Sequence, residues 1–214
     1  MMLGFTSKQL VGVGIFLFMI FIGVPLIIGA TGRWDFYFTL TSVALLAIAS
    51  AGVWLTFYIG RINIGQGAFA LIGAYVSAIL VVKAGWSFWI SLPAAGLFAA
   101  IVAILIGLPI LRLRGVYFAM ITLVLTQVVT LTALALPITN GAKGISNIPL
   151  PSSISVFGIP ILPDFAAMEN TKLAFYYTAC IIMILTYAAL YRLVNSRLGH
   201  LCRSMQQNEE LASS

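Results

Sequence analysis

Charged residues are scarce in this sequence. Asp, Glu, Lys and Arg make up only 7% of its 214 residues, whereas soluble domains contain about 25%. So few charges cannot coat a water-soluble globule of this size. The 62% hydrophobic content and the mean hydropathy of +1.11 also exclude a disordered chain, which combines low hydrophobicity with high net charge. The composition therefore predicts a membrane protein.

Groups for catalysis and metal binding are also missing. The sequence has no GxxxxGK[ST] phosphate-binding loop, so it is not expected to hydrolyse ATP by that route. Its one histidine, His200, has no carboxylate or cysteine pair at metal-ligand spacing. The basic residues behind the net charge of +6 are scattered, which argues against nucleic-acid binding. We expect no enzyme activity, no metal and no cofactor.

Six apolar runs approach the length of about 20 residues that a helix needs to cross a bilayer. The sequence thus predicts an all-α fold, a polytopic membrane helical bundle with about six transmembrane helices, in which residues 1–214 form part of a single transmembrane domain. The third run is the shortest, and Pro93 and Pro109 predict tilting or kinking in the fourth. The runs are Gln9 to Ala30, Phe36 to Ile59, Gln66 to Val82, Trp86 to Leu111, Val116 to Leu136 and Leu173 to Tyr191.

Basic residues predict the orientation, because cytoplasmic loops carry an excess of Lys and Arg. With a cytoplasmic N-terminus, the inner segments hold more basic residues than the outer ones, which predicts that both termini are cytoplasmic. Residues 137–172 then form an outer loop, and residues 192–214 an inner tail. The inner set is Lys8, Arg61, Arg112, Arg114, Arg192, Arg197 and Arg203, and the outer set is Arg33, Lys83, Lys143 and Lys172.

The predicted spans contain no charged residue, which argues against a proton-coupled carrier. They do contain small and weakly polar residues at helical spacing. Ala95, Ala99, Ala103 and Gly107 form a ridge that packs either within the subunit or against a partner. A second stripe, formed by Thr122, Thr126 and Thr130 with Gln127 nearby, either lines a path for a polar solute or bonds across helices and to its own backbone.

Residues 61–75 break the chain between the second and third runs. Asn63 and the glycines Gly65 and Gly67 flank Gln66 there, and Asn63 or the free amides after it can cap the next helix. Such a helix start attracts an anion such as a solute carboxylate, although an ordinary inter-helix turn has the same spacing. In the tail, Leu198, Leu201 and Met205 recur at helical spacing, as in a docking helix or a fraying terminus.

Several motifs occur together in a specific order between about Gly60 and Ala212. They resemble the permease subunits of branched-chain amino-acid ABC transporters, of the LivM type. The motifs are Ile64-Gly65-Gln66-Gly67-Ala68-Phe69 with Gly73-Ala74-Tyr75, Gly107-Leu108-Pro109, Leu111 to Ala119, Thr139-Asn140-Gly141-Ala142-Lys143-Gly144-Ile145, and the tail set Gly199, His200, Leu201, Cys202, Arg203, Met205 and Glu209. The sequence departs from the family pattern at Asn63, Gln66, Asn140, His200 and Gln206.

The resemblance implies a subunit of a bacterial inner-membrane importer, embedded in membrane lipid. Its implied partners are a sister permease, two cytoplasmic ATPase subunits and a periplasmic or lipoprotein solute-binding protein. The tail, with Gly199, His200, Leu201, Arg203, Met205 and Glu209, is then the ATPase-docking segment. Family chains continue with several more spans, so the resemblance implies that this sequence is either an N-terminal fragment of such a chain or a truncated gene product.

The candidate solute pathway consists of Asn63, Gly65, Gln66, Gly67, Thr122, Thr126, Gln127 and Thr130. Two alternatives remain open for the function. A permease for urea or short amides has the same motifs, and a non-transporting membrane scaffold could use the same small-residue ridges.

Overall fold

The computed structural model describes residues 18–113, 115–152, 155–156, 159–160, 165, 170–197 and 199. Six α-helices account for most of this part of the chain, and their order confirms an all-α polytopic membrane bundle. The helices are α1 (Val24–Thr31, preceded by a π-helical turn at Met19–Gly23), α2 (Phe36–Tyr58), α3 (Gln66–Val82), α4 (Phe88–Ile110), α5 (Val116–Ala135) and α6 (Thr171–Val194).

The helices follow the predicted apolar runs closely. Helices α2, α4, α5 and α6 are long and apolar enough to cross a membrane, whereas α3 and the segment Met19–Thr31 are shorter. Helix α4 continues through both Pro93 and Pro109. Helix α6 begins earlier and ends later than predicted and so includes Lys172 and Arg192 in its terminal turns, from which long basic side chains can reach the membrane surface. Residues 9–17 of the first predicted span lie outside the described residues.

Successive helices alternate in direction and form two packed groups. Helix α3 packs against α4 and α5, α2 packs along α6, and α2 meets α3 to join the groups. We call the end where α2 stops and α5 starts the Arg61 end. The opposite end, where α2 and α6 both start, is the Asp35 end, and there Lys172 Nζ lies 2.5 Å from Asp35 Oδ1.

A proline breaks the regular hydrogen bonding before α1. The N–H of Val24 donates to the carbonyl of Met19, a five-residue step, and Pro25 has no N–H to continue the ladder. Two hydroxyl groups of α6 serve as donors instead of the missing N–H. The Tyr176 hydroxyl donates to the carbonyl of Ile20 at 2.9 Å, and the Tyr177 hydroxyl donates to that of Phe21 at 3.2 Å. Neighbouring side chains thus satisfy the freed carbonyls, as the absence of water in a bilayer requires.

The segment between α5 and α6 folds back over the Asp35 end. It begins with two 3₁₀ turns, Pro137–Thr139 and Gly141–Lys143, and Ser155–Val156 pairs antiparallel with Ile159–Pro160. Lys83 Nζ donates to the carbonyl of Ile138 at 2.8 Å. Phe165 is fully buried between the rings of Trp89 and Phe175, with centroid distances of 5.5 and 5.1 Å. These contacts fix the segment to α3, α4 and α6.

Candidate functional site

The chain between α2 and α3 turns sharply before α3 starts at Gln66. Gly60 has φ +85°, a value that favours glycine. Asn63 Oδ1 accepts a hydrogen bond from the N–H of Gly65 at 2.8 Å, the local side-chain bond by which Asn stabilises turns. The N-cap of α3 is Gly65, without a side-chain capping bond, so Asn63 stabilises the turn before α3 and does not supply the helix cap that its position in the sequence allows.

This turn lies inside the bundle rather than at its end. The N–H of Ile64 donates to Thr122 Oγ1 at 3.1 Å, and the Gln66 side chain lies against Gly52. Thr122 is six residues after the start of α5 at Val116, and Gly52 is six residues before the end of α2 at Tyr58. At 1.5 Å per residue, both contacts are about 9 Å from the helix ends. Helix α3 thus starts below the Arg61 end.

Arg61 fastens the turn at the level of the helix ends. Its Nη1 donates to the carbonyls of Leu111 at 2.6 Å and Leu113 at 2.7 Å, where α4 leads into α5. The guanidinium carbon lies 5.5 Å from the centroid of the Phe118 ring, within the range of a cation–π contact. Arg61 therefore ties the turn before α3 to the turn before α5.

A cavity of about 390 Å³ lies between the turn and helices α2 to α5, within the size range of small-molecule sites. Polar side chains come from the turn and from α2, α3 and α5, whereas α4 contributes mainly alanine and glycine. All the lining residues are uncharged. They are Thr56, Asn63, Gln66, Phe69, Ala99, Ala100, Ala103, Gly107, Ile110, Leu111, Phe118, Thr122 and Leu125.

The carboxamides supply the free hydrogen-bonding capacity of this cavity. In the part of the chain that the structure describes, the Gln66 carboxamide makes no hydrogen bond, and Asn63 uses only its oxygen, toward Gly65. The Thr122 hydroxyl is engaged twice, since it also donates to the carbonyl of Ala119 at 2.9 Å. The amide groups can donate to and accept from the polar part of a small solute, and the neighbouring apolar side chains can contact its apolar part.

The structure brings most of the predicted pathway residues together. Asn63, Gln66 and Thr122 line the cavity. Gly65 allows the start of α3 to approach α5 closely, because a Cβ on it would lie 3.1 Å from the carbonyl oxygen of Thr122. Gly67 also faces α5, but a Cβ there would be in ordinary contact with Thr126 Cγ2, at 3.5 Å.

The other predicted residues of α5 lie outside the cavity lining. Thr126 and Thr130 donate to carbonyls one turn back, those of Thr122 and Thr126, at 3.2 and 2.8 Å. Gln127 is exposed on the surface of the described part. The ridge on α4 faces inward, with Ala95 buried, Ala99 near Gly73, and Ala99, Ala103 and Gly107 along the cavity.

Three residues that position the site were missed by the sequence reasoning. Gly52 and Thr56 lie one turn apart on α2, whose sequence is that of an apolar span. Arg61 counts toward the predicted orientation and begins the break at residues 61–75, but the sequence predicts no contact for it. The position of Arg61 could have indicated a structural role, because it lies at the edge of the break, two residues before Asn63. Nothing in the sequence of α2 distinguishes Gly52 from an ordinary packing glycine.

The tail is mostly outside the described residues. Of the predicted ATPase-docking set, only Gly199 is described, and its N–H donates to Ser196 Oγ at 3.4 Å, just beyond α6. His200, Leu201, Arg203, Met205 and Glu209 all fall outside. Cys202 does as well, whereas Cys180 is a buried free thiol in α6.

Comparison with known proteins agrees with a membrane bundle. The family model for the permease component of the branched-chain amino acid transport system matches residues 35–214. The chain is 32% identical over 166 residues to the high-affinity branched-chain amino acid transport system permease protein LivM of Escherichia coli (strain K12), covering 70% of this chain and 38% of that protein. LivM of Salmonella typhimurium (strain LT2) is 32% identical over 168 residues, with the same coverage.

The matched region is thus well under half the length of these curated relatives. No solved structure matches the chain. The family match nevertheless includes all the helices from α2 to α6 and every residue of the cavity. The chain is a multi-pass membrane protein, and it belongs to the family of permease components of branched-chain amino acid transport systems.

Proposed function

We propose that the chain is a transmembrane permease subunit of an ABC importer that moves branched-chain amino acids across the bacterial inner membrane. The observation that carries the proposal is the cavity at the start of α3, where the carboxamide of Gln66 and the amide nitrogen of Asn63 are available to a solute. Its family membership supports the solute class, because the relatives are named for branched-chain amino acid transport.

The cavity groups match the parts of such a solute. The α-carboxylate accepts hydrogen bonds from the amide nitrogens of Asn63 and Gln66, and the positive end of the α3 dipole favours it. The α-ammonium donates to the Gln66 carboxamide oxygen. The branched side chain packs against the alanines of α4 and the ring of Phe118. Uncharged walls fit a solute whose net charge is zero.

The energy for transport comes from partner proteins in this proposal. The cavity lining has no carboxylate that could relay a proton, so ATP hydrolysis by two cytoplasmic ATPase subunits drives the change between inward-open and outward-open states. A sister permease completes the membrane part, and a periplasmic or lipoprotein solute-binding protein delivers the amino acid.

The proposed orientation places the Arg61 end and both termini in the cytoplasm. Residues 137–172 then face outward, and the whole chain belongs to one transmembrane domain. Residues 192–214 form the cytoplasmic coupling segment, in which Arg203 and Glu209 contact an ATPase. In support, α6 ends at the Arg61 end, so Arg192 lies on the same side of the bundle as Arg61.

Uptake of radiolabelled leucine tests the proposed pathway. The full gene product is expressed with the other components of the system in cells that lack their own leucine importers. We expect Asn63→Ala and Gln66→Ala each to reduce uptake by about tenfold or more, because a site built to hydrogen-bond its substrate loses much when a partner is removed. The matched control is Gln127→Ala, which removes a carboxamide outside the cavity. Equal losses in all three variants at equal membrane levels would contradict a pathway through this cavity.

A further inference from the structure

Gly52 of α2 lies directly against the side chain of Gln66. A Cβ built on Gly52 would be 3.0 Å from Gln66 Oε1, 3.2 Å from Cδ and 3.3 Å from Nε2. All three carboxamide positions are thus closer than ordinary van der Waals contact with a methyl group. The carboxamide can occupy its position because residue 52 has no side chain.

Gln66 is also one of the residues that line the cavity. Thr56, one turn after Gly52 on the same face of α2, also lines the cavity. A side chain on residue 52 would displace the carboxamide from its place on α2 and so change the wall of the cavity at Gln66. No hydrogen bond to a described residue holds the Gln66 side chain back, so its position is set by packing against α2.

We propose that Gly52 is a specificity-determining positioning residue: by letting the Gln66 carboxamide rest on α2, it sets the width of the cavity and hence the largest solute side chain that the cavity accepts. This inference rests on the proposed function, because the cavity must be the solute pathway for its width to affect selectivity. Gly52 acts only through Gln66 and need not touch the solute itself.

A graded series of side chains at position 52 tests the inference. KM for uptake is measured with valine and leucine, which differ by one methylene group, in the complete transport system. We expect Gly52→Ala to raise the ratio of the leucine KM to the valine KM about threefold, and Gly52→Val about tenfold, near the lower end of the range for discrimination by one methylene group. The inference requires that the KM for leucine rises more than the KM for valine.

The second arm repeats the series in a Gln66→Ala background. Without the carboxamide, a methyl group at position 52 has nothing to displace, so the KM ratio is expected to stay within twofold of that of Gln66→Ala alone. Gly96→Ala is the matched control. It adds the same methyl group within a helix, at a point where no atom of the described residues lies within 4 Å of it. It therefore separates the general effect of replacing a helical glycine from the contact with Gln66.

A stability measurement separates failure of the inference from failure of the proposed function. The Tm of the purified full chain in detergent is measured for Gly52→Val, Gln66→Ala and the double variant. The contact predicts that Gly52→Val lowers Tm less when Gln66 is already alanine. Additive Tm changes, or a KM ratio that rises equally with and without Gln66, would overturn the inference.

If the unmodified system takes up neither amino acid, the proposed function fails, and so does the role of Gly52 in selectivity. Non-additive Tm changes would then still establish the contact itself. If uptake is normal but the Gly52 series leaves the KM ratio unchanged, only the inference is wrong.

Discussion

The main-chain N–H of Ile64 donates a hydrogen bond to the side-chain hydroxyl of Thr122, 3.1 Å away on α5. The same hydroxyl donates to the carbonyl of Ala119 at 2.9 Å. Thr122 is buried, with 4% of its surface exposed, so water cannot readily replace either bond. One side chain therefore holds the turn before α3 about 9 Å inside the bundle, where non-helical backbone is tolerated only if protein surrounds it or it lines a cavity.

Thr122→Val is expected to destabilise the protein by about 1–3 kcal/mol, because it leaves the Ile64 N–H without its partner at nearly the same side-chain volume. Thr122→Ser keeps the hydroxyl and should retain most of the stability. Thr130→Val is the control, since among the described residues that hydroxyl bonds to a carbonyl of its own helix alone, that of Thr126. Thermal unfolding in detergent measures all three variants. If Thr130→Val cost as much as Thr122→Val, the contact with the turn would have no special role.

Arg61→Ala is expected to reduce transport strongly, by about tenfold or more, because it releases two carbonyls and the Phe118 ring at once and loosens the turn that carries Asn63. Arg61→Lys should be intermediate, since an ammonium group keeps the charge but lacks the planar geometry of the guanidinium. Leucine uptake at equal membrane levels is the measurement.

The control for Arg61 is Arg112→Ala, which removes the same charge from the neighbouring turn. Arg112 is exposed, and its replacement is expected to leave uptake within about twofold. A similar loss in both variants would indicate a general effect of charge at this end of the bundle rather than the contacts of Arg61.

The sequence predicts where the helices begin and end along the chain, but it does not predict how far inside the bundle α3 starts. Apolar runs bounded by charge, glycine or proline locate membrane helices because the cost of burying polar groups sets their limits. The start of α3 was placed at Gln66 correctly for that reason. No local pattern reveals that α3 starts inside the bundle, because this depends on Ile64 meeting Thr122 and Gln66 meeting Gly52, residues that are distant in sequence.

The candidate site was predicted in part, and helix geometry explains the difference. Thr122 was correctly grouped with Thr126 and Thr130 on one face of α5, since residues four apart share a face. Gln127 follows Thr126 by one position and is therefore rotated about 100° away from that face, where it is exposed. A polar residue that is next to a helical stripe in the sequence can therefore lie on a different face of the helix.

One departure from the family pattern has a clear conformational explanation. Asn140 lies in the segment after α5, and its φ is +65°. Asn is among the few residues that adopt this left-handed region readily. Its side-chain nitrogen also donates to the carbonyl of Gly144 at 3.0 Å. Asn140 is therefore well suited to this turn.

The ion pair between Asp35 and Lys172 predicts a pH-dependent contribution to stability. Lys172 holds the pKa of the Asp35 carboxyl below its ordinary value of 3.8, through a hydrogen bond and charge attraction. A carboxyl group with a lowered pKa in the folded state stabilises that state above its unfolded pKa, and the contribution is lost as pH falls through the folded pKa.

Asp35→Asn should therefore lower Tm slightly at pH 7, because the pair is exposed and weak, and the difference from the unmodified protein should shrink below about pH 4. In a Lys172→Met background the same substitution should have little effect at pH 7. A Tm difference that stays constant from pH 7 to pH 3 would contradict the ion pair as its cause.

The hydroxyl of Tyr176 compensates for the missing N–H of Pro25, and this can be tested by restoring that N–H. Tyr176→Phe is expected to destabilise the protein by about 1 kcal/mol, a typical value for a hydrogen bond between membrane helices, because the carbonyl of Ile20 loses its donor. In a Pro25→Ala background the helix has its own donor at this point, so the same substitution should cost clearly less.

Tyr117→Phe is the control for loss of a hydroxyl, since Tyr117 is 75% exposed. Thermal unfolding of the four members of the cycle measures the coupling, and an equal cost of Tyr176→Phe in both backgrounds would mean that this hydroxyl does not substitute for the proline's missing donor.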